Sequence, residues 1–181
     1  KCQYDIVWAF ENGMSKVCRD GKWGFVNTKG EEIVKCQYDR VRAFENGMAA
    51  VCRDGKWGFV NIQGEEFVKC QYEEVSDFIN GMAEVCRDGK KGFVNTKGEE
   101  FVKCQYDEVF AFENGMAQVR RGDKWGFVNT QGEEIVKCQY DVVYDFYKGM
   151  ADVLKEDKWG IVNKNGVLVL PCVFDMVLII N

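Results

Sequence analysis

The chain has 181 residues, 46% of them apolar and 14% aromatic, and its 24 Lys and Arg against 29 Asp and Glu give a formal charge of -5. That apolar share supports a folded core and excludes wholesale disorder, while the absence of histidine removes the commonest neutral-pH acid-base group and metal ligand, and with it most hydrolase triads and histidine zinc sites. Both signs of charge recur throughout, so no basic stripe is available to collect a phosphate backbone and nucleic-acid binding is not expected; no run approaches the ~18 apolar residues of a membrane-spanning helix.

A 34-residue period dominates the sequence: copies occupy 1–34, 35–68, 69–102, 103–136 and 137–170, and a partial copy fills 171–181. Copies one and two differ at seven of 34 positions, so equivalent side chains must find equivalent environments, as in a tandem array. No Ser/Gly-rich linker interrupts it, and the single proline is Pro171. Lys1–Asp5 already lie inside the consensus; the natural start is therefore expected upstream, where a signal peptide is neither seen nor excluded.

The second copy gives the elements in order. Tyr38-Asp39-Arg40-Val41 is either extended chain or a short helical turn, because Tyr38 lies three and four residues from Val41 and Arg42. Met48 to Arg53 alternates between faces with a two-residue period and predicts a strand. Asp54-Gly55 is a hairpin signal suited to the positive φ of a type I′ turn, so Trp57-Gly58-Phe59-Val60 is expected to return antiparallel. Asn61 with Gly64 supplies the next turn, Phe67-Val68 begins a third strand that runs toward Tyr72, and Asn80-Gly81 marks a further turn. These features predict an all-β tandem array. Four-stranded propeller blades usually take about 40 residues, so an open β-solenoid or superhelical array is preferred and a five-bladed β-propeller is the alternative.

The segment Gly21-Lys22-Trp23-Gly24-Phe25-Val26-Asn27, followed by Gly30, returns at Gly55, Gly89, Asp123 and Asp157. With the Tyr38-Asp39 step and the Phe44 to Ala49 step, it resembles the WG-repeat family across essentially the whole chain. The resemblance implies a β-rich tandem array of mostly unassigned function, usually taken as a binding or scaffolding module, and it does not imply a catalytic site; no enzyme activity and no cofactor are expected. Its signature residues here are Trp23, Gly24, Trp57, Gly58, Gly92, Trp125, Gly126, Trp159 and Gly160. Two departures stand out: Lys-Cys replaces the usual proline before Tyr-Asp except at Pro171-Cys172, and Lys91 replaces the tryptophan of copy three.

Four groups of residues are candidate sites. The repeated tryptophans could stack a sugar or base, but packing over the neighbouring copy, with glycine permitting close approach, is the preferred reading. Cys2, Cys36, Cys70, Cys104, Cys138 and Cys172 occupy one slot and Cys18, Cys52 and Cys86 another, with no Cys-x-x-Cys pair; small buried thiols are expected rather than a metal site. They fit a reducing compartment such as the cytoplasm, without fixing localisation. The pairs Glu31-Glu32, Glu65-Glu66, Glu99-Glu100 and Glu133-Glu134 are too alike for glycosidase chemistry and are expected on a solvated edge balanced by Lys35, Lys69, Lys103 and Lys137.

The fourth group is variable. One slot reads Ile6, Arg40, Glu74, Glu108, Val142, Met176 and another Trp8, Arg42, Ser76, Phe110, Tyr144, Leu178. Side chains facing an unchanging framework should be uniform, so Trp8, Arg40, Arg42, Glu74, Ser76, Glu108, Phe110, Val142 and Tyr144 form the expected recognition surface. Val167 to Ile180 loses the paired glutamates and turns apolar, as a cap or oligomer contact would. The leading expectation is a noncatalytic module that binds a protein or extended ligand along one face; a structural spacer associating end to end, and a carbohydrate-binding module using exposed aromatics, are the alternatives.

Overall fold

The computed structural model describes residues 3–176. Each copy contributes one four-stranded antiparallel sheet in chain order. In the first, β1 (Ile6–Val7), β2 (Met14–Arg19), β3 (Lys22–Asn27) and β4 (Glu32–Tyr38) follow one another. The same pattern gives β5–β8 over Arg40–Val41, Met48–Arg53, Lys56–Asn61 and Glu66–Tyr72, and β9–β12 over Glu74–Val75, Met82–Arg87, Lys90–Asn95 and Glu100–Tyr106. It continues through β13–β16 over Glu108–Val109, Met116–Arg121, Lys124–Asn129 and Glu134–Tyr140, and β17–β20 over Val142–Val143, Met150–Lys155, Lys158–Asn163 and Leu168–Phe174. The chain divides into two compact units, Lys1–Gly89 with Phe93–Glu100 and Lys90–Gly92 with Phe101–Asn181.

Thirty-four residues suffice for four strands because the first strand of each sheet has two residues and the turns are short. The length argument against a propeller blade therefore fails, and the extended reading of Tyr38–Val41 holds over the helical one. Asp54 and Gly55 both take positive φ, 52° and 76°, as do Asn80 and Gly81, 51° and 79°; the predicted hairpin turns are present. The sheets run four residues out of phase with the Lys-Cys-Gln-Tyr origin: Pro171–Phe174 ends β20 and so completes the fifth sheet.

The glycine of the Trp-Gly step works inside its own sheet. Register slips between Trp57 and Phe59 as β8 bulges past β7, and a Cβ on Gly58 would lie 2.3 Å from the Val68 carbonyl oxygen. Contacts between neighbouring sheets fall elsewhere. Phe25 meets Phe44 edge-on at 4.7 Å, Phe59 meets Phe78 at 4.8 Å, and Phe127 meets Phe146 at 4.7 Å, each pair worth about 0.5–1.5 kcal/mol beyond its buried area. Around the first of these, Val34, Tyr38, Ala49, Val51 and Val60 close a buried core. In the second unit Phe127, Val136, Tyr140, Phe146, Val153 and Val162 do the same.

The Asn-x-x-Gly turn is where backbones of successive copies come closest. A Cβ on Gly64 would sit 2.1 Å from the Ile33 oxygen, on Gly98 2.3 Å from that of Phe67, on Gly132 1.9 Å from that of Phe101, and on Gly166 2.2 Å from that of Ile135. Gly30 has the same positive φ but nothing within 4 Å of such an atom. This separates two costs that glycine usually combines. Gly30→Ala should cost only the left-handed backbone penalty, about 1–2 kcal/mol, while Gly98→Ala adds a collision with backbone and should cost clearly more; equal urea-unfolding losses for the two variants would refute the close-approach role.

Candidate functional site

Two sets of polar contacts between charged side chains repeat with the copies. In the first, the tyrosine that ends one sheet's fourth strand donates to the glutamate that begins the next sheet's. Tyr38 Oη lies 2.7 Å from Glu66, Tyr72 Oη 2.9 Å from Glu100, and Tyr4 Oη 3.0 Å from Glu32. Arg53 and Arg87 reach the same carboxylates at 2.9 Å and lie over the Tyr38 and Tyr72 rings at 4.8 and 5.5 Å. Burial would raise the Glu66 pKa, but hydrogen bonds from Tyr38, the Cys70 N–H and Arg53 hold it below its ordinary value. Burial pushes the Tyr38 hydroxyl far up and that of Tyr106 up to about 12.

This corrects the expectation of a solvated glutamate edge balanced by Lys35 and its equivalents. The second glutamate of each pair is half-buried and taken by Tyr and Arg, as Glu66 shows. The first accepts from the Asn of its own turn, Glu65 from Asn61 at 2.7 Å.

The second set explains the Lys of the Lys-Trp-Gly step and the Asp of the Tyr-Asp step. Asp39 Oδ2 accepts the Asp54 N–H at 2.7 Å, and Asp107 that of Gly122 at 2.7 Å, so each carboxylate caps its own sheet's hairpin turn. The same carboxylates pair with the lysine of the preceding copy, Lys22 with Asp39, Lys90 with Asp107 and Lys124 with Asp141. Those lysine hydrogen bonds, with the turn N–H, hold the Asp39, Asp107 and Asp141 carboxyls below the usual range.

The eight described cysteines are free thiols. Cys70 and Cys138 sit 3.6 Å from the Val51 and Val119 carbonyl oxygens, and burial followed by the neighbouring glutamate raises each to about 11. They are neutral packing groups at ordinary pH. Among the described residues no group of His, Cys, Asp and Glu could hold a metal ion, and no helix is long and apolar enough to cross a membrane.

The variable slots line up on one face of each sheet. Across the strands Arg40 faces Cys52 and Cys52 faces Trp57, Glu108 faces Arg120 and Arg120 faces Trp125, and Val142 faces Leu154 and Leu154 faces Trp159. The tryptophans therefore meet the variable residues of their own copy, and they also reach the neighbouring one: Trp125 packs against the buried cluster of Tyr140, Val143 and Phe146. Tyr144 stacks on Trp159 at 5.5 Å and 9°, Phe110 lies 5.5 Å from Trp125, Trp8 meets Trp23 edge-on at 6.3 Å, and Arg42 lies 5.0 Å from the Trp57 ring. Trp8, Phe110 and Tyr144 are more than half exposed, Arg40 and Glu74 are exposed, and Arg42, Ser76, Glu108 and Val142 are partly so. Met176 is exposed, and Leu178, like Val177–Ile180 of the apolar tail, lies outside the described residues.

Sequence reasoning missed a third slot on this face, which reads Lys16, Ala50, Glu84, Gln118 and Asp152. Lys16 Nζ hangs 4.2 Å over the Trp8 ring, and Gln118 donates to Asp145 at 2.6 Å. The variation itself was the available signal. Trp8, Lys16, Trp23, Arg40, Val41 and Trp57 line an open cavity of about 340 Å³ in the first unit.

A repeated sheet with this Trp-Gly bulge defines a class of tandem β-repeat protein. The chain belongs to the family of WG containing repeats, whose model matches residues 1–23, 23–57, 57–90, 92–125, 125–159 and 159–179. No curated protein matches it at a significant level. Among solved structures, a eukaryotic initiation factor is similar at TM-score 0.50 and 9% identity, over 89% of this chain and 52% of that one. Hsv2 of Kluyveromyces lactis aligns at TM-score 0.38 and 12% identity, over 87% of this chain and 59% of that one, and the AfRom2 CNH domain at 0.34 and 8%, over 92% and 69%. This chain thus spans about half of the initiation factor and about three fifths of Hsv2; at such identities the likeness is one of fold.

The depressed carboxyls set the acid response. A group whose folded pKa lies below its unfolded value stabilises the fold above the unfolded value, near 4, and that contribution is lost as pH falls through the folded value. Stability in urea should therefore be flat from neutrality to about pH 5 and fall steeply below about pH 4. Asp107→Asn should start lower at neutral pH and lose less on acidification; an acid profile parallel to that of the unaltered chain would remove Asp107 from the account.

Proposed function

We propose that the chain is a noncatalytic binding and scaffolding module that holds a protein or extended peptide along the face carrying its variable slots. The observation that carries this reading is the division of labour among equivalent positions. The Tyr-Glu-Arg and Lys-Asp contacts and the phenylalanine pairs recur between copies, while the positions of Trp8, Arg40, Glu74, Phe110 and Tyr144 differ and stand exposed. The second glutamate of each pair is engaged in joining sheets and the first in its own turn, so the two do not face one substrate as paired acid-base work requires.

The reading includes an open succession of sheets in preference to a closed five-bladed propeller. Tyr4, with Glu32 and Arg19 against it, fills beside the first sheet the position that the equivalent Phe174 would need in order to close the ring. A displayed library of linear peptides, selected on the full chain, tests the binding face. Enriched peptides should bind at least about ten-fold more weakly, ~1.4 kcal/mol, to a variant carrying Trp8→Ala, Arg40→Ala, Phe110→Ala and Tyr144→Ala whose thermal unfolding is unchanged. No enrichment, or equal binding to the variant, would overturn the reading.

A second reading, association end to end, is supported by β20. Val34, Val68, Val102 and Val136 of the earlier fourth strands are buried, whereas Leu170 at the equivalent position is 39% exposed and Phe174 40%. Leu168, Val169 and Val173 extend the apolar surface, and such surface favours a partner. We expect concentration-dependent growth in light scattering that Leu170→Asp with Val173→Asp abolishes; a monomer at every concentration would refute it.

A further inference from the structure

The cavity between the first two sheets differs chemically from every equivalent place in the repeat. Trp8, Trp23 and Trp57 supply aromatic walls, and Lys16 and Arg40 bring two cations to it. The Trp8 backbone is fixed by the Ser15 hydroxyl, which donates to its carbonyl oxygen at 2.6 Å; Ser15 is buried, and its counterparts are Ala49, Ala83, Ala117 and Ala151. The backbone that carries Trp8 on the rim is therefore pinned to the sheet beneath it.

The decisive residue is Arg40. Arg19, Arg42, Arg53, Arg87, Arg120 and Arg121 each pair with a carboxylate. Among the described residues Arg40 has no such partner; its guanidinium lies 5.0 Å from the Trp57 ring centre and donates 3.5 Å to the Cys52 sulfur. Copy four shows how the repeat neutralises this slot when nothing else must. There Glu108 occupies the Arg40 position and Arg120 the Cys52 position, and the two form an ion pair at 2.6 Å. Lys16 likewise has no carboxylate within ion-pair distance among the described residues and only the Trp8 ring beneath it. Two unpaired cations beside apolar walls are an arrangement that an anion completes, because charge-assisted hydrogen bonds gain strength where water is displaced.

We propose that this cavity is a carboxylate subsite: it takes one acidic group of an extended peptide, the carboxylate between Lys16 and Arg40 and the adjoining apolar atoms against Trp8, Trp23 and Trp57. This rests on the peptide-binding reading above and specifies its ligand. A volume of about 340 Å³ lies at the small end of ligand cavities, which suits one side chain or a chain terminus rather than a folded surface. Charge along the face gives the peptide a direction. In the third sheet the same slots carry Glu74 and Glu84, with Lys91 in place of the indole, so that row does not repeat the pair of cations beside aromatic walls.

The shared chemistry has two sources, a Glu or Asp side chain and a free C-terminal carboxylate, and the test separates them. Quenching of indole fluorescence is followed at low salt with three apolar peptides: one capped at both ends with a central Glu, the same peptide with Gln, and the Gln peptide with a free C-terminus. Saturable quenching by the Glu peptide, at least about ten-fold tighter than by the capped Gln peptide, ~1.4 kcal/mol, and weakened by salt, is the expected result. Tighter binding of the free-terminus peptide alone also supports the subsite and assigns it to chain ends. Equal quenching by all three, or none, overturns it.

Arg40→Glu combined with Cys52→Arg installs the ion pair that the fourth copy already carries. This variant should keep its unfolding temperature and lose the charge discrimination; a variant that still prefers Glu over Gln also overturns the proposal. Peptides selected from the library that bind independently of Lys16 and Arg40 would sink the carboxylate subsite and leave the broader binding face standing.

Discussion

A hydrogen bond from a tyrosine in one copy to a glutamate 28 residues later ties the structure together. A four-stranded sheet of about 34 residues has too little interior of its own. Its fourth strand buries Val68 and Tyr72 only when the next copy lies over them. Burying the Tyr72 ring would strand its hydroxyl at a cost of about 1–3 kcal/mol, and Glu100 supplies the acceptor. That glutamate is itself half-buried and is compensated by Arg87, whose guanidinium also covers the tyrosine ring. Ring, hydroxyl, carboxylate and guanidinium form one unit. The last sheet departs from it: Leu168 and Lys155 replace the Glu and Arg that would stand beside Tyr140, Phe174 replaces the Tyr that ends the other fourth strands, and the exposed strand β20 is apolar instead of polar.

Much of this was legible because strands and turns are local. Alternation along Met48 to Arg53, the Asp54-Gly55 pair and the Asn61 to Gly64 turn each specify backbone through neighbouring residues, and the strands and turns fall where those residues place them. The joining contacts were not legible, because their partners lie 17 to 28 residues apart and every copy offers the same candidates. The paired glutamates read as one solvated edge from sequence. In the folded chain alternation sends Glu65 to its own turn and Glu66 to Tyr38 and Arg53. The phase of the sheet was hidden for a similar reason: Lys-Cys-Gln-Tyr looks like the head of a copy, yet Tyr38 ends a strand that began at Glu32.

The Trp-Gly step likewise has two causes where sequence suggested one. The glycine answers to the bulge of the fourth strand past the third, with a carbonyl oxygen occupying the space of a side chain. The tryptophan answers to whatever stands across the sheet: Trp8, Arg42, Phe110 or Tyr144, each a surface that a π face attracts. Copy three, with Lys91 in place of the indole, has Ser76 in the opposing slot and Glu74 and Glu84 beside it. The substitution that looked like an isolated loss is part of a changed row.

Coupling within a row also separates adaptation to the fold from adaptation to something outside it. A row that exists only to be stable should neutralise its own charge, as Glu108 and Arg120 do, or avoid charge, as Val142 and Leu154 do. Both solutions occur in this chain, built on the same backbone and one or two substitutions away, so the framework does not force a third. The row of Arg40 and Cys52 takes neither course, and the neighbouring Lys16 adds a second positive charge to the same cavity. The equivalent rows supply internal controls: the framework does not require the unpaired charge of the Arg40 row, and a carboxylate brought by a ligand, as proposed above, would complete it.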